Sequence, residues 1–283
     1  MADQTLKGKV AIVTGAGRGM GKAMSLAFVA AGARVAMNEV DADVLAEAAN
    51  EAKAIGGNDA VLPLAADLTK EETAERLVAD TIAQFGGLHI VVNNAGIGPE
   101  TIRADHFINP VKFWEMDISH WRRGIAVNGT AQFLMALASV KHMTAQGWGR
   151  IINVTTSLDT MLRPGFSIYG PGKAANEAFV AIMAQELEGT GVTANVLIPG
   201  GPVNTRMFPP IGNIKREELI QPDVMAVPIV WLASDASAGW TGRRFIAGFW
   251  DATIPPEEAA AKASNPAAWP QLGGNAIMPK SAS

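Results

Sequence analysis

Short apolar runs alternate with longer amphipathic stretches along most of the chain. Seven runs have the length and the β-branched content of buried strands, namely residues 9–14, 33–37, 60–64, 88–93, 150–155, 192–198 and 243–247. Between them, residues 21–31, 42–55, 71–85, 121–146 and 172–188 carry apolar side chains at helical spacing. The repeated order of strand and helix predicts a parallel sheet, and nearly continuous apolar strands indicate helices on both of its faces.

The predicted fold is therefore α/β, with a doubly wound Rossmann-type parallel sheet of about seven strands. A (β/α)8 barrel would need an eighth strand, and the turn after the first strand is of the nucleotide-binding kind. We expect a single dinucleotide-binding and catalytic domain over residues 1–253. Two regions break the alternation: residues 97–120, which are irregular, and a C-terminal extension of uncertain role over residues 254–283, which is rich in Ala and Pro.

Composition limits the classes of partner. Of the 283 residues, 48% are hydrophobic and 18% are charged, which predicts a globular protein with a large core. The net charge of -4 and the lack of any Lys/Arg run argue against nucleic acid. With no cysteine, disulfides and thiolate metal sites are excluded, and no metal site is expected. The first apolar run is too short for a signal peptide or a membrane span, so we expect a cytoplasmic protein with no membrane partner.

A glycine-rich turn follows the first predicted strand and precedes the first predicted helix. Its sequence, TGAGRGMG, contains Gly15, Gly17, Gly19 and Gly21, with Arg18 and Met20 between them. Glycine permits positive φ and lets backbone N–H groups approach a pyrophosphate at the start of a helix. The spacing departs from strict G-x-G-x-x-G, so the context of strand and helix carries most of the prediction.

An acidic residue closes the second predicted strand. Glu39 follows the last glycine of the turn by about 20 residues, where a carboxylate can accept from the ribose hydroxyls and would repel a 2′-phosphate. This position predicts NAD rather than NADP as the cofactor. Two alternatives stay open, because Glu39 could be a solvated loop residue and Arg18 could reach a 2′-phosphate.

The only tyrosine of the chain, Tyr169, lies four residues before Lys173. Residues at this spacing share a helix face, and Pro171 is tolerated in a first helical turn. A nearby ammonium group stabilises a phenolate, so we expect Lys173 to lower the pKa of Tyr169. The pair is a candidate proton donor and acceptor, although Y-x-x-x-K alone is a weak signal.

In their order, these features resemble the short-chain dehydrogenase/reductase family from about residue 7 to residue 250. The matching motifs are the turn from Thr14 to Gly21, Asp67, the NNAG of residues 93–96, Asn128, a hydroxyl after the fifth strand, the Tyr169 and Lys173 pair, and Pro199-Gly200. The resemblance implies that Tyr169 is the general acid/base. It also implies that Lys173 tunes Tyr169 and binds the nicotinamide ribose, and that Asn128 supports a water beside the lysine. A capping or core amide remains open for Asn128, and an N-cap remains open for Asp67.

With the glycine turn and Glu39, the resemblance implies a full set of cofactor-binding residues. They are Gly15, Gly17, Arg18, Gly19, Met20, Gly21, Glu39, Asp67, Leu68, Asn94, Ala95, Gly96, Tyr169, Lys173, Pro199, Gly200, Val203 and Thr205. The last two are carried over across a departure, since PGGPVNT has one residue more than the family's PGxxxT. The hydroxyl that orients the substrate is ambiguous: gap-free counting gives Thr156, and one gap gives Ser157, which we favour slightly.

Substrate and assembly are less constrained. Residues 207–221 occupy the segment that covers substrate in the resembled family. With Ile97, Pro99, Met161 and Phe166 they favour a hydrophobic or aromatic secondary alcohol or ketone, unless these residues are core. The alternatives are an NADPH-dependent carbonyl or 3-oxoacyl-thioester reductase and a non-catalytic NAD-binding scaffold or sensor. The resemblance also implies a homo-oligomer, a dimer or a homotetramer, assembled through residues 121–146 and 172–188.

Overall fold

The computed structural model describes residues 4–273, in which eight strands form one sheet. The strands are β1 Val10–Thr14, β2 Arg34–Glu39, β3 Val61–Ala65, β4 Ile90–Asn93, β5 Gly149–Val154, β6 Val192–Ile198, β7 Arg243–Ile246 and β8 Ser264–Pro266. Their order is β3-β2-β1-β4-β5-β6-β7-β8. The pairs from β3 to β7 are parallel and β8 is antiparallel to β7, so the predicted doubly wound sheet is confirmed.

Helices connect the strands and cover both faces of the sheet. They are α1 Gly19–Ala30, α2 Ala42–Gly56, α3 Glu71–Phe85, α4 Ile118–Ile125, α5 Ala131–Ala145, α6 Leu158–Met161, α7 Gly170–Glu186, α8 Ala226–Leu232 and α9 Pro256–Lys262. Among the described residues, no helix has the length and apolar content that a membrane crossing requires.

Alternate residues of a strand point to opposite faces, and this rule divides the core in two. On β1, Val13 packs with Phe28 of α1 and Leu45 of α2, while its neighbour Ile12 packs in a second cluster with Leu77 of α3. Every residue of β1, β4, β5 and β6 is buried. This is why the central strands are nearly continuous apolar runs.

The structure differs from the sequence prediction in the number of strands and in one helix. The eighth strand, Ser-Asn-Pro, carries no apolar pattern and forms by pairing with the edge strand β7. The helix predicted over residues 121–146 begins at Ile118 and is interrupted by one π-helical turn, Ala126–Thr130. The irregular residues 97–120 contain two 3₁₀ turns, Pro99–Thr101 and Phe113–Glu115.

The predicted C-terminal extension is partly described. Its α9 buries Ala259 and Ala260, and β8 follows directly, so this part packs on the edge of the sheet. Residues 274–283 of the extension, and residues 1–3 of the predicted domain, lie outside the described residues. Because β1 to β7 run parallel, the loops at their carboxyl ends meet at one edge, where a doubly wound sheet binds its ligands.

Candidate active site

The glycine turn connects β1 to α1, and its backbone leaves no room for side chains. Gly15 and Gly19 have φ of 63° and 54°, which L side chains rarely adopt. A Cβ on Gly21 would collide with the carbonyl oxygen of Gly15. The turn and the amino end of α1 therefore form the close backbone approach that a pyrophosphate needs.

Two side chains fasten this turn to the end of β4. The Thr14 hydroxyl accepts from the backbone N–H groups of Asn94 and Ala95 at 3.0 and 3.1 Å. The Asn94 amide donates to the carbonyl oxygens of Thr14 and Gly15 at 2.9 and 3.1 Å. Both predicted cofactor segments are thus held as one unit, with Asn94 acting through its side chain.

Glu39 ends β2 beside the glycine turn. A Cβ on Gly17 would approach the Glu39 Cγ atom to 2.9 Å, so glycine at 17 leaves space for this carboxylate. Arg18 also lines the cavity, and its guanidinium forms an ion pair with Asp41 at 2.9 Å. The Glu39 carboxylate lies in the cavity wall, and the Arg18 charge is paired with that of Asp41.

Asp67 follows β3, caps the next turn and also lies in the cavity wall. Its Oδ1 accepts from the Thr69 N–H at 2.9 Å, which is a capping bond for the turn before α3. Burial would raise the pKa of Asp67, but the Thr69 bonds and the charges of Lys70 and Arg123 hold it below its ordinary value. Asp67 and its neighbour Leu68 also line the cavity, so the second carboxylate oxygen remains available to a ligand.

Tyr169 and Lys173 lie at the amino end of α7, as predicted, and both are buried. The Lys173 ammonium donates to the Val154 carbonyl at 2.8 Å and lies 5.6 Å from the Tyr169 ring centroid. Burial lowers the pKa of Lys173 to about 8. Burial also raises the pKa of Tyr169, and the charge of Glu100 adds to the rise, so the predicted lowering of this pKa is wrong for the protein alone.

The structure favours Thr156 over Ser157 as the hydroxyl beside the tyrosine. A hydrogen bond from the Thr156 side chain partly opposes the rise in the pKa of Tyr169. Ser157 is instead the N-cap of α6, where its Oγ accepts from the Thr160 N–H at 3.2 Å. These contacts support Thr156, which gap-free counting indicates, and the choice between Thr156 and Ser157 stays a prediction.

Asn128 lies in the π-helical turn and is fully buried. Its side chain accepts from the Ile97 N–H at 3.1 Å and donates to the carbonyl oxygens of Ile97 and Ile168 at 2.8 and 2.9 Å. Its own carbonyl accepts from Asn176 of α7. Asn128 thus joins the loop after β4 to the residue before Tyr169, and π-helical turns of this kind are frequent at functional sites.

Of the residues predicted in the loop after β6, only Thr205 lines the cavity, and the others have structural roles. Thr205 lines the cavity beside Gly19, whose Cβ would lie 3.0 Å from the Thr205 methyl group. Val203 instead forms a bridge with Ile220, and the Pro199 carbonyl accepts from the Gly248 N–H at 2.9 Å. Gly200, with φ of 103°, turns the chain between them.

One cavity of about 1030 Å³ connects these features. The predicted residues in its wall are Gly15, Arg18, Gly19, Met20, Glu39, Asp67, Leu68, Asn94, Ala95, Gly96, Tyr169, Lys173 and Thr205. The remaining predicted residues lie outside that wall: Gly17, Gly21, Asn128, Thr156, Ser157, Pro199, Gly200 and Val203. The glycine cradle, the acid at β2 and the buried Tyr and Lys fit a nicotinamide dinucleotide lying along the carboxyl edge of the sheet.

The residues predicted at the substrate mouth divide between two cavities. Ile97 and Met207 line the large cavity, whereas Met161 and Phe166 line a separate one of about 560 Å³. Phe166 still contacts the active site, because its ring packs edge-on against Tyr169 at 6.2 Å. Pro99 is buried and lines neither cavity.

Sequence reasoning missed polar residues in the wall of the large cavity, namely Glu100, Thr101, Arg123, Asn204 and Arg206. Of these, Glu100 acts on Tyr169, because its charge contributes to the raised pKa of that phenol. Glu100 and Thr101 form the 3₁₀ turn just after the NNAG segment, within the residues assigned only as irregular. Their closeness to NNAG was the one available signal, because the end of β4 lies beside β1 and its turn.

Comparison with known proteins gives a consistent result. The family model described as short chain dehydrogenase matches residues 9–215. A 3-oxoacyl-[acyl-carrier-protein] reductase from Synechocystis sp. is 32% identical over 246 residues, which cover 85% of this chain and 95% of the relative. A 2,5-dichloro-2,5-cyclohexadiene-1,4-diol dehydrogenase from Sphingobium indicum is 30% identical over 245 residues, covering 84% and 93%. A metagenomic short-chain oxidoreductase solved with NADP superposes with a TM-score of 0.71 at 26% identity, covering 86% of this chain and 97% of that structure.

Proposed function

The chain belongs to the short-chain dehydrogenase/reductase family, and we propose that it is an NAD-dependent oxidoreductase that acts on a secondary alcohol or the matching ketone. One observation carries the proposal. Tyr169 and Lys173 lie in the wall of the same cavity whose other end contains the glycine turn and Glu39. A cofactor bound on the turn would therefore extend toward a buried proton donor.

The protein's own residues supply the proton chemistry. A nicotinamide cofactor, when bound, supplies the carbon that accepts or releases the hydride. Burial keeps the Tyr169 phenol protonated near neutral pH, so it can donate to a carbonyl oxygen. We assign the orientation of that oxygen to Thr156, because its side chain acts on the same phenol. Lys173, with a pKa of about 8, can exchange a proton close to the working pH. Together they move one proton at the substrate oxygen.

Glu39 supports NAD as the preferred cofactor. Its carboxylate lies in the cavity wall at the end of β2, where it can accept from ribose hydroxyls and repel a phosphate. The ion pair with Asp41 partly offsets the Arg18 charge that would favour NADP. NADPH remains the second candidate because Arg18 also lines the cavity and the metagenomic relative binds NADP.

The substrate end of the large cavity combines apolar and polar walls. Ile97 and Met207 provide apolar surface, whereas Glu100 and Arg206 provide charged groups. The expectation of a hydrophobic substrate is therefore widened to a carbon skeleton that carries polar groups. The Sphingobium relative is named for a cyclic diol, which is a substrate of that description.

We also propose a homo-oligomer and a cytoplasmic location. The predicted interface helices expose the apolar side chains of Phe133 and Leu137 on α5 and of Ile182 on α7. The Phe133 ring contacts that of Phe179 at 5.3 Å, so the two helices share one apolar face. The absence of cysteine is compatible with a reducing compartment.

The decisive experiment measures the absorbance of reduced cofactor. NAD or NADP is supplied with secondary alcohols, and NADH or NADPH with the matching ketones. We expect turnover with NAD to exceed turnover with NADP. Tyr169→Phe should lower kcat by about 100-fold or more, because a positioned acid/base contributes that much, while NADH still binds. Binding of NADH without turnover of any alcohol or ketone would favour the scaffold hypothesis.

A second pair of variants tests the cofactor preference. Glu39→Gln should reduce the ratio of kcat/KM for NAD to that for NADP by about 10-fold or more, because the repulsion of a 2′-phosphate is lost. Asp43→Asn is the matched control, since this exposed acid in the first turn of α2 lies outside the cavity wall. An unchanged ratio in Glu39→Gln would contradict the assignment of NAD to this carboxylate.

A further inference from the structure

Glu100 is a carboxylate that the proposed proton transfer does not use. It lines the tyrosine end of the large cavity, and its Oε1 accepts from the Gly98 N–H at 3.1 Å. Its Oε2 is shielded from solvent, and among the residues that the structure describes none hydrogen-bonds to it. Such an atom has lost its bonds to water without replacement, which is costly. An acceptor of this kind in a substrate cavity points to a donor on the substrate.

The turn that carries Glu100 is fixed in place. The Thr101 hydroxyl donates to the Gly98 carbonyl at 2.8 Å. The Asn128 side chain accepts from the Ile97 N–H and donates to the Ile97 carbonyl. The same Asn128 also holds the residue before Tyr169. The carboxylate and the phenol are therefore positioned from one anchor, as a specificity contact requires.

The charges around Glu100 select the kind of donor. Burial raises the pKa of Glu100, and the Gly98 N–H and the Arg206 guanidinium partly oppose that rise. Arg206 would repel an ammonium group placed beside it, whereas a neutral hydroxyl can donate to the carboxylate without this penalty. The charge of Glu100 in turn contributes to the raised pKa of Tyr169, as expected for two groups in one end of the cavity.

We propose that Glu100 is a specificity-determining residue that accepts a hydrogen bond from a second hydroxyl group of the substrate. The preferred substrates are then diols, polyols or hydroxyketones rather than simple alcohols. Ile97 and Met207 cover the carbon skeleton while the two oxygens reach Tyr169 and Glu100. The inference rests on the proposed dehydrogenase function and names its substrate class.

Matched substrates test the inference on the unaltered enzyme. Three skeletons are used, each as a mono-alcohol, a vicinal diol and the diol's mono-methyl ether: cyclohexyl, butyl and phenylethyl. We expect kcat/KM for at least one diol to exceed that of its mono-alcohol by about 10- to 100-fold, the usual worth of a hydrogen bond to a charged group. The ether should lose this gain, because its second oxygen has no hydrogen to donate. Equal values for all three members of every skeleton would overturn the inference.

Glu100→Gln tests the residue itself. The glutamine carbonyl can keep the Gly98 bond, but an amide NH₂ replaces the accepting Oε2, so the acceptor becomes a donor. We expect the ratio of kcat/KM for the diol to that for the mono-alcohol to fall by about 10- to 100-fold, mainly through KM of the diol. The ratio is the readout, because the loss of the Glu100 charge acts on Tyr169 equally for both substrates. Glu217→Gln is the control, because Glu217 is exposed and outside the cavity wall. An equal loss for both substrates would show a structural role and overturn the inference.

The failures of the two proposals are distinguishable. The enzyme could turn over alcohols without preferring diols and lose this activity in Tyr169→Phe. That result would support the proposed dehydrogenase function and overturn the role of Glu100. If an amino alcohol were preferred over the diol, Glu100 would still accept a hydrogen bond from the substrate. The proposal that the donor is a hydroxyl group would be overturned. Absence of turnover throughout, with either cofactor and in both directions, would overturn both proposals.

Discussion

Lys173 illustrates how burial controls a single reactive residue. Its side chain is only 2% exposed, and its pKa falls from 10.5 to about 8. Between these two pH values the unfolded chain binds more protons than the folded chain, so the contribution of Lys173 to stability rises with pH. We expect the free energy of unfolding of the wild type, relative to Lys173→Met, to increase by up to about 3 kcal/mol between pH 7 and pH 10.

Urea unfolding at a series of pH values measures this difference. Lys7→Met serves as the matched control at an exposed position, and it should show the slope of the wild type. A slope of Lys173→Met equal to that of the wild type would mean that the lysine is not desolvated as the structure indicates.

Thr156 and Ser157 are neighbours with separable roles. Thr156→Ala removes the hydroxyl beside Tyr169, and we expect kcat/KM to fall by about 100-fold, with Thr156→Ser retaining most of the activity. Ser157→Ala removes the N-cap of α6 and should cost about 1 kcal/mol of stability, with activity changed by less than about 3-fold. Steady-state kinetics and thermal unfolding of the three variants separate the roles. The reverse pattern would restore Ser157 as the orienting hydroxyl.

The residue types of the site were readable from the sequence, but their protonation was not. The single tyrosine and its lysine could be assigned from spacing, because positions four apart share a helix face. The direction of the pKa shift depends on how much water reaches the phenol, which is decided by Phe166 and by loops distant in sequence. The ambiguity between Thr156 and Ser157 likewise needed the loop geometry.

At the scale of elements, a buried ion pair joins α7 to β7. The Glu177 carboxylate, 1% exposed in its side chain, pairs with Arg244 at 2.6 Å and accepts from the Thr155 hydroxyl at 2.8 Å. Arg244 also donates to the Thr156 carbonyl at 2.6 Å. The pair therefore fixes the end of β5, where the orienting hydroxyl lies, relative to the helix that carries Tyr169.

Removing one partner of this pair should be strongly destabilising. Glu177→Met leaves the partly buried Arg244 charge without its anion, and we expect a loss of about 3 kcal/mol in unfolding free energy. The double variant Glu177→Met, Arg244→Met should recover most of that loss, because no uncompensated charge remains. Chemical denaturation of the single and double variants measures the coupling.

The exposed pair of Glu258 and Lys262 on α9 provides the control. Its atoms are 2.8 Å apart, but both side chains are more than half exposed, so Glu258→Gln should cost less than about 0.5 kcal/mol. Equal losses for Glu177→Met and Glu258→Gln would mean that the buried pair is solvated in solution.

Strands and helices with regularly spaced apolar residues were predictable from the sequence. The strand that forms only by pairing with an edge strand, and the helical turn that contains an extra residue, were not. β1 to β7 follow from apolar runs because both faces of the central sheet are buried. β8 has no such run and exists because β7 presents a free edge. The π-helical turn at Asn128 adds a residue to a helix whose apolar spacing otherwise looks regular, so periodicity alone could not locate it.

At the scale of the molecule, the alternation of strands and helices in the sequence implies the connections that set the strand order of the sheet. The residues that form the cavity wall do not follow from this alternation. Its wall combines residues from the loops after β1, β2, β3, β4 and β6. Motifs with fixed spacing predict the end of the cavity that we propose for the cofactor, because backbone approach to a phosphate demands glycine. The substrate end, including Glu100, depends on how two irregular loops pack together, and no local pattern encodes that contact.

The exposed apolar face of α5 and α7 is the feature that assembly would explain. Leu137 lies one turn after Phe133, and Ile182 lies one turn after Phe179, so all four side chains form one stripe. Leu137 and Ile182 are 52% and 48% exposed in the single chain, and burying them between two copies would remove that apolar surface from water.

We expect the variant Leu137→Glu, Ile182→Glu to sediment at half the mass of the wild type, because two charged stripes cannot pack together. Ile55→Glu, a comparably exposed apolar residue at the end of α2, should leave the mass unchanged. If the double variant kept the wild-type mass, or if the wild type itself sedimented as a single chain, this face would not be the interface.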